Sequence, residues 1–170
     1  MRNIQRLLSI LLVLIATSCA VRIESLQGQV DKRLEHLDKE KARLKYLTDP
    51  VDRTKSDIVI SEILLSLASD AVRSGEPEVL QKRLGEYVDT IEDAHQALVK
   101  AGRDARKKPK GFKDLEIVLR RQIRTLGDIG NGLTFDQRDP VDKAKQQASD
   151  IRDDLLKALF GEQNAPSRKS

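Results

Sequence analysis

The sequence predicts an all-α fold, an antiparallel up-and-down bundle of four to five helices. Three observations lead there. Leu, Ala, Lys, Glu, Asp and Arg dominate a chain with 34% charged and only 3% aromatic residues. Apolar residues recur at helical spacing through each long segment. Proline or a capping acid opens the segments and glycine closes them.

The segment "RIESLQGQVDKRLEHLDKEKARLKYLTD" repeats every seven residues. Ile23, Val30, Leu37 and Leu44 hold one seam position, while Leu26, Arg33, Glu40 and Leu47 hold the other. A half-apolar seam predicts a helix with a narrow buried stripe that docks on a neighbour. In "DPVDRTK", Asp49 is placed as N-cap, Pro50 as first helical residue and Asp52 in the first turn. Ile58, Ile60, Ile63, Leu64, Leu65, Leu67 and Val72 then cover more than half the circumference, so this helix should be the most buried. Gly75 closes it.

After Pro77, one face carries Leu80, Leu84, Tyr87 or Val88, Ile91, His95 and Leu98. This helix is expected to run to about Lys108, where Pro109 and Gly111 break it. The fourth buries Phe112, Leu115, Leu119, Ile123 and Leu126 and is expected to fray through Gly127, Gly130 and Gly132. The fifth begins at Asp139, buries Val141, Ala144, Ala148, Ile151 and Leu155, and stops near Gly161. Residues 162–170 read as a disordered tail. "DPVDRTK" at Asp49 returns as "DPVDKAK" at Asp139, either a duplicated hairpin or one capping sequence used twice.

The N-terminus carries an address. Arg2 and Arg6 precede the apolar run Leu7 to Ala16, and small residues follow. That is the pattern of a secretory signal, and Leu7 to Val21 as helix reaches only about 22 Å, short of a bilayer core. The only cysteine, Cys19, closes Ile15-Ala16-Thr17-Ser18-Cys19. These five residues resemble the lipobox of bacterial lipoprotein precursors, with Ala16 where leucine is usual. The resemblance implies a signal peptide at 1–18, lipidation of Cys19 and an anchor at 19–22, while the apolar periodicity beyond them places a helical bundle domain at 23–161. It implies a cell-envelope, periplasm-facing location; Ala20 after the cysteine, under the family's Gram-negative rule, points to the outer membrane. Two or more acyl chains hold a protein stably at a bilayer.

A chain cut before Cys19 keeps 152 residues with 29 cations against 27 acids, a net charge of +2. Three Phe, two Tyr and no Trp leave little for stacking bases, and together with export this argues against nucleic acid as a partner.

Candidate chemistry is sparse. Glu92 and His95 in "EDAH" have the Glu-x-x-His spacing of carboxylate-bridged metal bundles. The other histidine, His36, has Arg33 in the glutamate slot, a cation where a ligand belongs. No metal ligands are therefore assigned. No haem motif, phosphate loop or nucleophile signature occurs, so neither a cofactor nor an enzymatic activity is expected. The strongest binding feature is basic: Arg103, Arg106, Lys107, Lys108, Lys110 and Lys113, followed by Arg120, Arg121 and Arg124. Such a cluster suits an anionic polymer or lipid of the envelope. Finally, "LTFDQ" (Leu133 to Gln137) resembles the LTxxQ motif of periplasmic helical chaperones and stress adaptors, and has the spacing of a capping box between Thr134 and Gln137.

The expected role is a lipid-anchored envelope protein acting through protein or surface contacts. A chaperone or envelope-stress adaptor is the alternative, and a metal-binding bundle a more distant one.

Overall fold

The computed structural model describes residues 28–161. The signal segment, Cys19, the seam residues Ile23 and Leu26, and the tail at 162–170 lie outside the described residues. The chain divides into two compact units, Met1–His36 and Leu37–Ser170. The described part of the first is helical, with Arg33 Nε donating to the Gln29 carbonyl at 3.3 Å.

Helix occupies residues 28–44 (α1), of which 37–44 belong to the larger unit. That unit continues with α2 (Pro50–Ser74), α3 (Pro77–Lys100), α4 (Phe112–Asn131), a 3-10 turn (Phe135–Gln137) and α5 (Asp139–Phe160). Every regular element among the described residues is helical.

The larger unit is a helical bundle in which successive helices run antiparallel. Thr54, near the start of α2, reaches the carbonyl of Ala94, near the end of α3. Glu116 at the start of α4 meets Arg152 late in α5. The α2–α3 and α4–α5 hairpins then pack side by side, and α2 lies along α4 in the same direction: Gly111 before α4 is near Val51 and Gly132 after it is near Val72, with Ser61 bonded to Gln122 and Glu62 paired with Arg121 midway. Helices α3 and α5 are likewise parallel neighbours: Gln81 and Pro140 line one cleft near their starts, and farther along Gln147 donates to Glu92 at 3.5 Å. The α3–α4 connection therefore crosses a diagonal of the four-helix square. Residues 37–44 of α1 lie over the α2–α3 hairpin, where Lys41 pairs with Glu86 at 2.9 Å and Glu40 accepts from Ser56 at 2.8 Å.

The helix starts and stops follow from local chemistry. Asp49 accepts from the amides of Val51 (2.9 Å) and Asp52 (3.0 Å), satisfying two orphan donors of α2. Gly75 takes the left-handed conformation that ends α2, with its amide and that of Glu76 closing on Val72 and Ala71. As expected, α2 is the most buried helix, and Ile60, Leu64, Leu65 and Ala68 are almost wholly enclosed.

Four expectations need correction. Helix α3 stops at Lys100, not near Lys108: Ala101-Gly102 turns the chain, Gly102 sits at φ 61°, and Ala105 is buried against the bundle end. Helix α4 does not fray through its glycines. It runs to Asn131, because Gly127 and Gly130 face α5, and a Cβ at Gly130 would touch Val141 at 3.6 Å. Thr134 and Gln137 form no capping box; Thr134 makes no side-chain cap, and a 3-10 turn closes instead through the Gln137 amide and the Thr134 carbonyl.

The DPVD echo, lastly, does not repeat its cap. Asp139 lies inside α5, and its carboxylate pairs with Lys143 at 2.6 Å in solvent. What recurs is packing: Val51 and Thr54, like Val141 and Ala144, are buried. Asp49→Ala should cost about 1 kcal/mol of unfolding free energy and Asp139→Ala only a few tenths, as urea denaturation of the two variants would read.

Candidate functional site

The two ends of the bundle differ in charge, and this polarity is the main candidate for function. One end gathers the α1–α2 turn, the α3–α4 connection and the C-terminus of α5. Residues 101–113 hold six cations against the single acid Asp104. This loop has a definite shape. Asp104 Oδ1 accepts from the amides of Arg106 (2.9 Å) and Lys107 (3.3 Å), and its carbonyl accepts from Lys108 at 2.8 Å. Gly111 sits at φ 89°, where a Cβ would approach Leu98 Cδ2 to 2.7 Å, so the chain presses directly on the core. The loop's backbone is pinned while Arg106, Lys107, Lys108, Lys110 and Lys113 point to solvent. Arg103 is half-buried, with its Nε enclosed.

The nine basic residues singled out in the sequence do not form one patch. Arg103 to Lys113 share the loop end. Arg120 is tied to Glu116 (2.6 Å) and Arg121 to Glu62, so both are partly neutralised. Arg124 lies twelve residues beyond Phe112, about 18 Å along α4.

The opposite end is acidic. Residues 70–78 and 128–143 contribute seven carboxylates against Arg73, Arg138 and Lys143. A cleft of about 330 Å³ opens here, lined among others by Val72, Pro77, Leu80, Leu133, Gln137 and Pro140. Phe135, 93% exposed, stands on the 3-10 turn beside it. The LTFDQ segment thus supplies part of the cleft wall.

The interior holds polar groups that sequence spacing could not pair. Tyr87 donates to Gln122 Oε1 (3.2 Å), and Gln122 donates to Ser61 (2.7 Å), linking α3, α4 and α2. Burial pushes the Tyr87 phenol above its ordinary value, which keeps it a donor. Glu116 accepts from Arg120 and, at 3.0 Å, from Arg152. Asp57 is 1% exposed, and neither of its oxygens has a hydrogen-bond partner. Burial raises its carboxyl to about 7, with Arg53 pulling it down and Asp93 pushing it up.

The metal alternative gains no geometry. Glu92 bonds Gln147 on the surface. Burial holds the His95 imidazole below its usual value, against the pull of Asp154. Among the described residues, no three His, Cys, Asp or Glu side chains are grouped to hold a metal ion. None of the described helices is long and apolar enough to cross a membrane.

Comparisons with protein-family models, with curated proteins and with solved structures return no match.

Proposed function

We propose that this chain is a lipid-anchored cell-envelope protein that acts through surface contacts rather than by catalysis. The observation that carries the reading is Cys19, the only thiol, placed at the edge of an export signal in a lipobox-like pentapeptide. The end-to-end charge polarity of the bundle supports it, because a tethered protein gains from faces that differ in what they attract. At the acidic end, the apolar cleft beside Phe135 suits a protein partner that presents an apolar side chain flanked by cations.

Fractionation of producing cells tests the anchor. The parent chain is expected in the membrane fraction, and Cys19→Ala in the soluble fraction or retained as uncut precursor. A Cys19→Ala product that is processed at the same bond and stays in the membrane would contradict the reading. At the other end, Phe135→Asp is expected to leave fractionation unchanged while weakening any contact made through the cleft.

A second reading is favoured by one observation: the LTFDQ segment, similar to the motif of periplasmic chaperones and adaptors, borders the cleft. On this reading the cleft holds apolar segments of unfolded clients. The protein should then slow aggregation of a reduced, unfolding client, and Phe135→Asp should abolish that effect. No suppression at stoichiometric excess removes the reading.

A further inference from the structure

The basic end carries more than charge. Of the large apolar side chains that are strongly exposed among the described residues, three lie at this one end: Tyr46 (85%), Val99 (56%) and Phe160 (60%). Each comes from a different element. Tyr46 is in the α1–α2 turn, whose Leu44 and Leu47 carbonyls are held by Arg53 Nη1. Val99 precedes the Gly102 turn, its carbonyl accepting the Gly102 amide at 3.0 Å. Phe160 precedes Gly161, where a Cβ would meet Arg106 Nη2 at 2.7 Å, so the end of α5 lies against the basic loop. The α2 start joins the same end, since Gly111 packs near Val51.

A folded protein gains nothing in water from exposing two aromatic rings and a valine at the same end as a loop of cations. At a bilayer surface the combination is favourable. Aromatic and aliphatic side chains sit in the headgroup boundary, and cations engage lipid phosphates. A pinned loop also presents its charges with little ordering cost on binding.

We infer that this end is a membrane-contact face: Arg106, Lys107, Lys108, Lys110 and Lys113 engage anionic phospholipid headgroups while Tyr46, Val99 and Phe160 enter the interface. The inference deepens the envelope reading and rests on it for the presence of a bilayer. It stands the bundle on its basic end. The acidic end, with Phe135 and the cleft, then faces away from the membrane toward other proteins. Arg120 and Arg121, paired within the fold, are not part of the face.

The chain has no tryptophan, so Phe160→Trp and Phe135→Trp are single reporters of the two ends. The full-length processed protein would be reconstituted into vesicles of phosphatidylcholine, with or without phosphatidylglycerol, containing a brominated lipid as quencher. Flotation with phosphatidylcholine vesicles reads the anchor; tryptophan quenching reads the face. Phe160→Trp should be quenched only when phosphatidylglycerol is present, and about 1 M salt should reverse this, because the screening length falls to roughly 3 Å. Phe135→Trp should be unquenched in both. Adding Lys107→Gln, Lys108→Gln and Lys110→Gln should lower the face's apparent affinity roughly a hundredfold, at about 1 kcal/mol per cation.

If the protein floats but Phe160→Trp stays unquenched with phosphatidylglycerol, the face is not a membrane contact, and its cations serve an acidic polymer or protein. Equal quenching at both reporters overturns the inference as well. Failure to float on phosphatidylcholine counts against the anchor alone, and quenching on phosphatidylglycerol still decides the face.

Discussion

Asp57→Asn is expected to stabilise the bundle at pH 8 by about 2–4 kcal/mol and to leave it nearly unchanged at pH 4. In the folded chain the carboxyl is almost fully enclosed, without a hydrogen-bond partner, and burial raises it to about 7 from the ordinary 3.8. Below the unfolded value Asp57 is neutral in both states and carries no ionisation penalty. As pH rises from about 4 to 7, the unfolded chain ionises freely while the folded chain resists. Stability drains away over that window and levels off above it. A shift of about three units is worth up to roughly 4 kcal/mol, and relaxation toward Arg53 reduces it. Among the described residues Arg53 is the cation acting on this group, but its Nη1 is spent on the Leu44 and Leu47 carbonyls at the α1–α2 turn. Urea midpoints of parent and variant at pH 4, 6 and 8 read the difference directly. A pH-independent difference would mean that Asp57 is solvated or paired in the folded chain.

Glu116→Ala is expected to cost about 3 kcal/mol. Glu116 is buried, and both its oxygens are used: Arg120 donates to Oε1 and Oε2, and Arg152 Nε donates to Oε1 as well. Removing one partner of a buried pair leaves the other charge uncompensated, which costs more than the pair contributed. Arg152 is the residue stranded, since Arg120 reaches solvent. Glu116→Met combined with Arg152→Met should recover most of the loss, because the replacement removes both charges and keeps volume. Thermal unfolding of Glu116→Met, Arg152→Met and their double variant tests this, with the interaction energy read from that cycle. A double variant no more stable than Glu116→Ala would show that packing, not charge, holds the site.

These two carboxylates also mark where sequence reading stopped. Apolar spacing found the buried faces of α2 to α5 and Leu37 of α1, because burial imposes a period that survives without knowledge of neighbours. Leu37, Leu64, Leu84, Leu119 and Val141 lie where that period placed them. Glu40 interrupted the first seam, yet it is buried beside Leu37 because Ser56 of α2 donates to it. Asp57, Glu116 and Gln122 look like solvent-facing residues of charged helices. Glu116 and Gln122 are buried with partners up to 61 residues away, such as Ser61 for Gln122, and Asp57 is buried with none; no local pattern encodes either. Boundaries failed where one glycine decided the outcome. Gly102 ended α3 early by adopting a left-handed turn, whereas Gly127 and Gly130 stayed helical because α5 packs on them.

The candidate site was half legible. Six cations within residues 103–113 are visible as a run. Their separation from Arg120, Arg121 and Arg124 is not, since it depends on Glu116, Glu62 and the length of α4. The three exposed apolar residues around the run come from positions 46, 99 and 160, joined only by the fold.

Everything proposed about where this bundle works rests on the fate of Cys19. The most direct measurement is the intact mass of the protein extracted from membranes of the producing cell. A polypeptide beginning at Cys19, heavier than its sequence by a diacylglycerol and an acyl group, is the predicted result. A free, unmodified cysteine, or a first residue other than Cys19, would contradict the anchor and remove the reason to place the basic end against a bilayer.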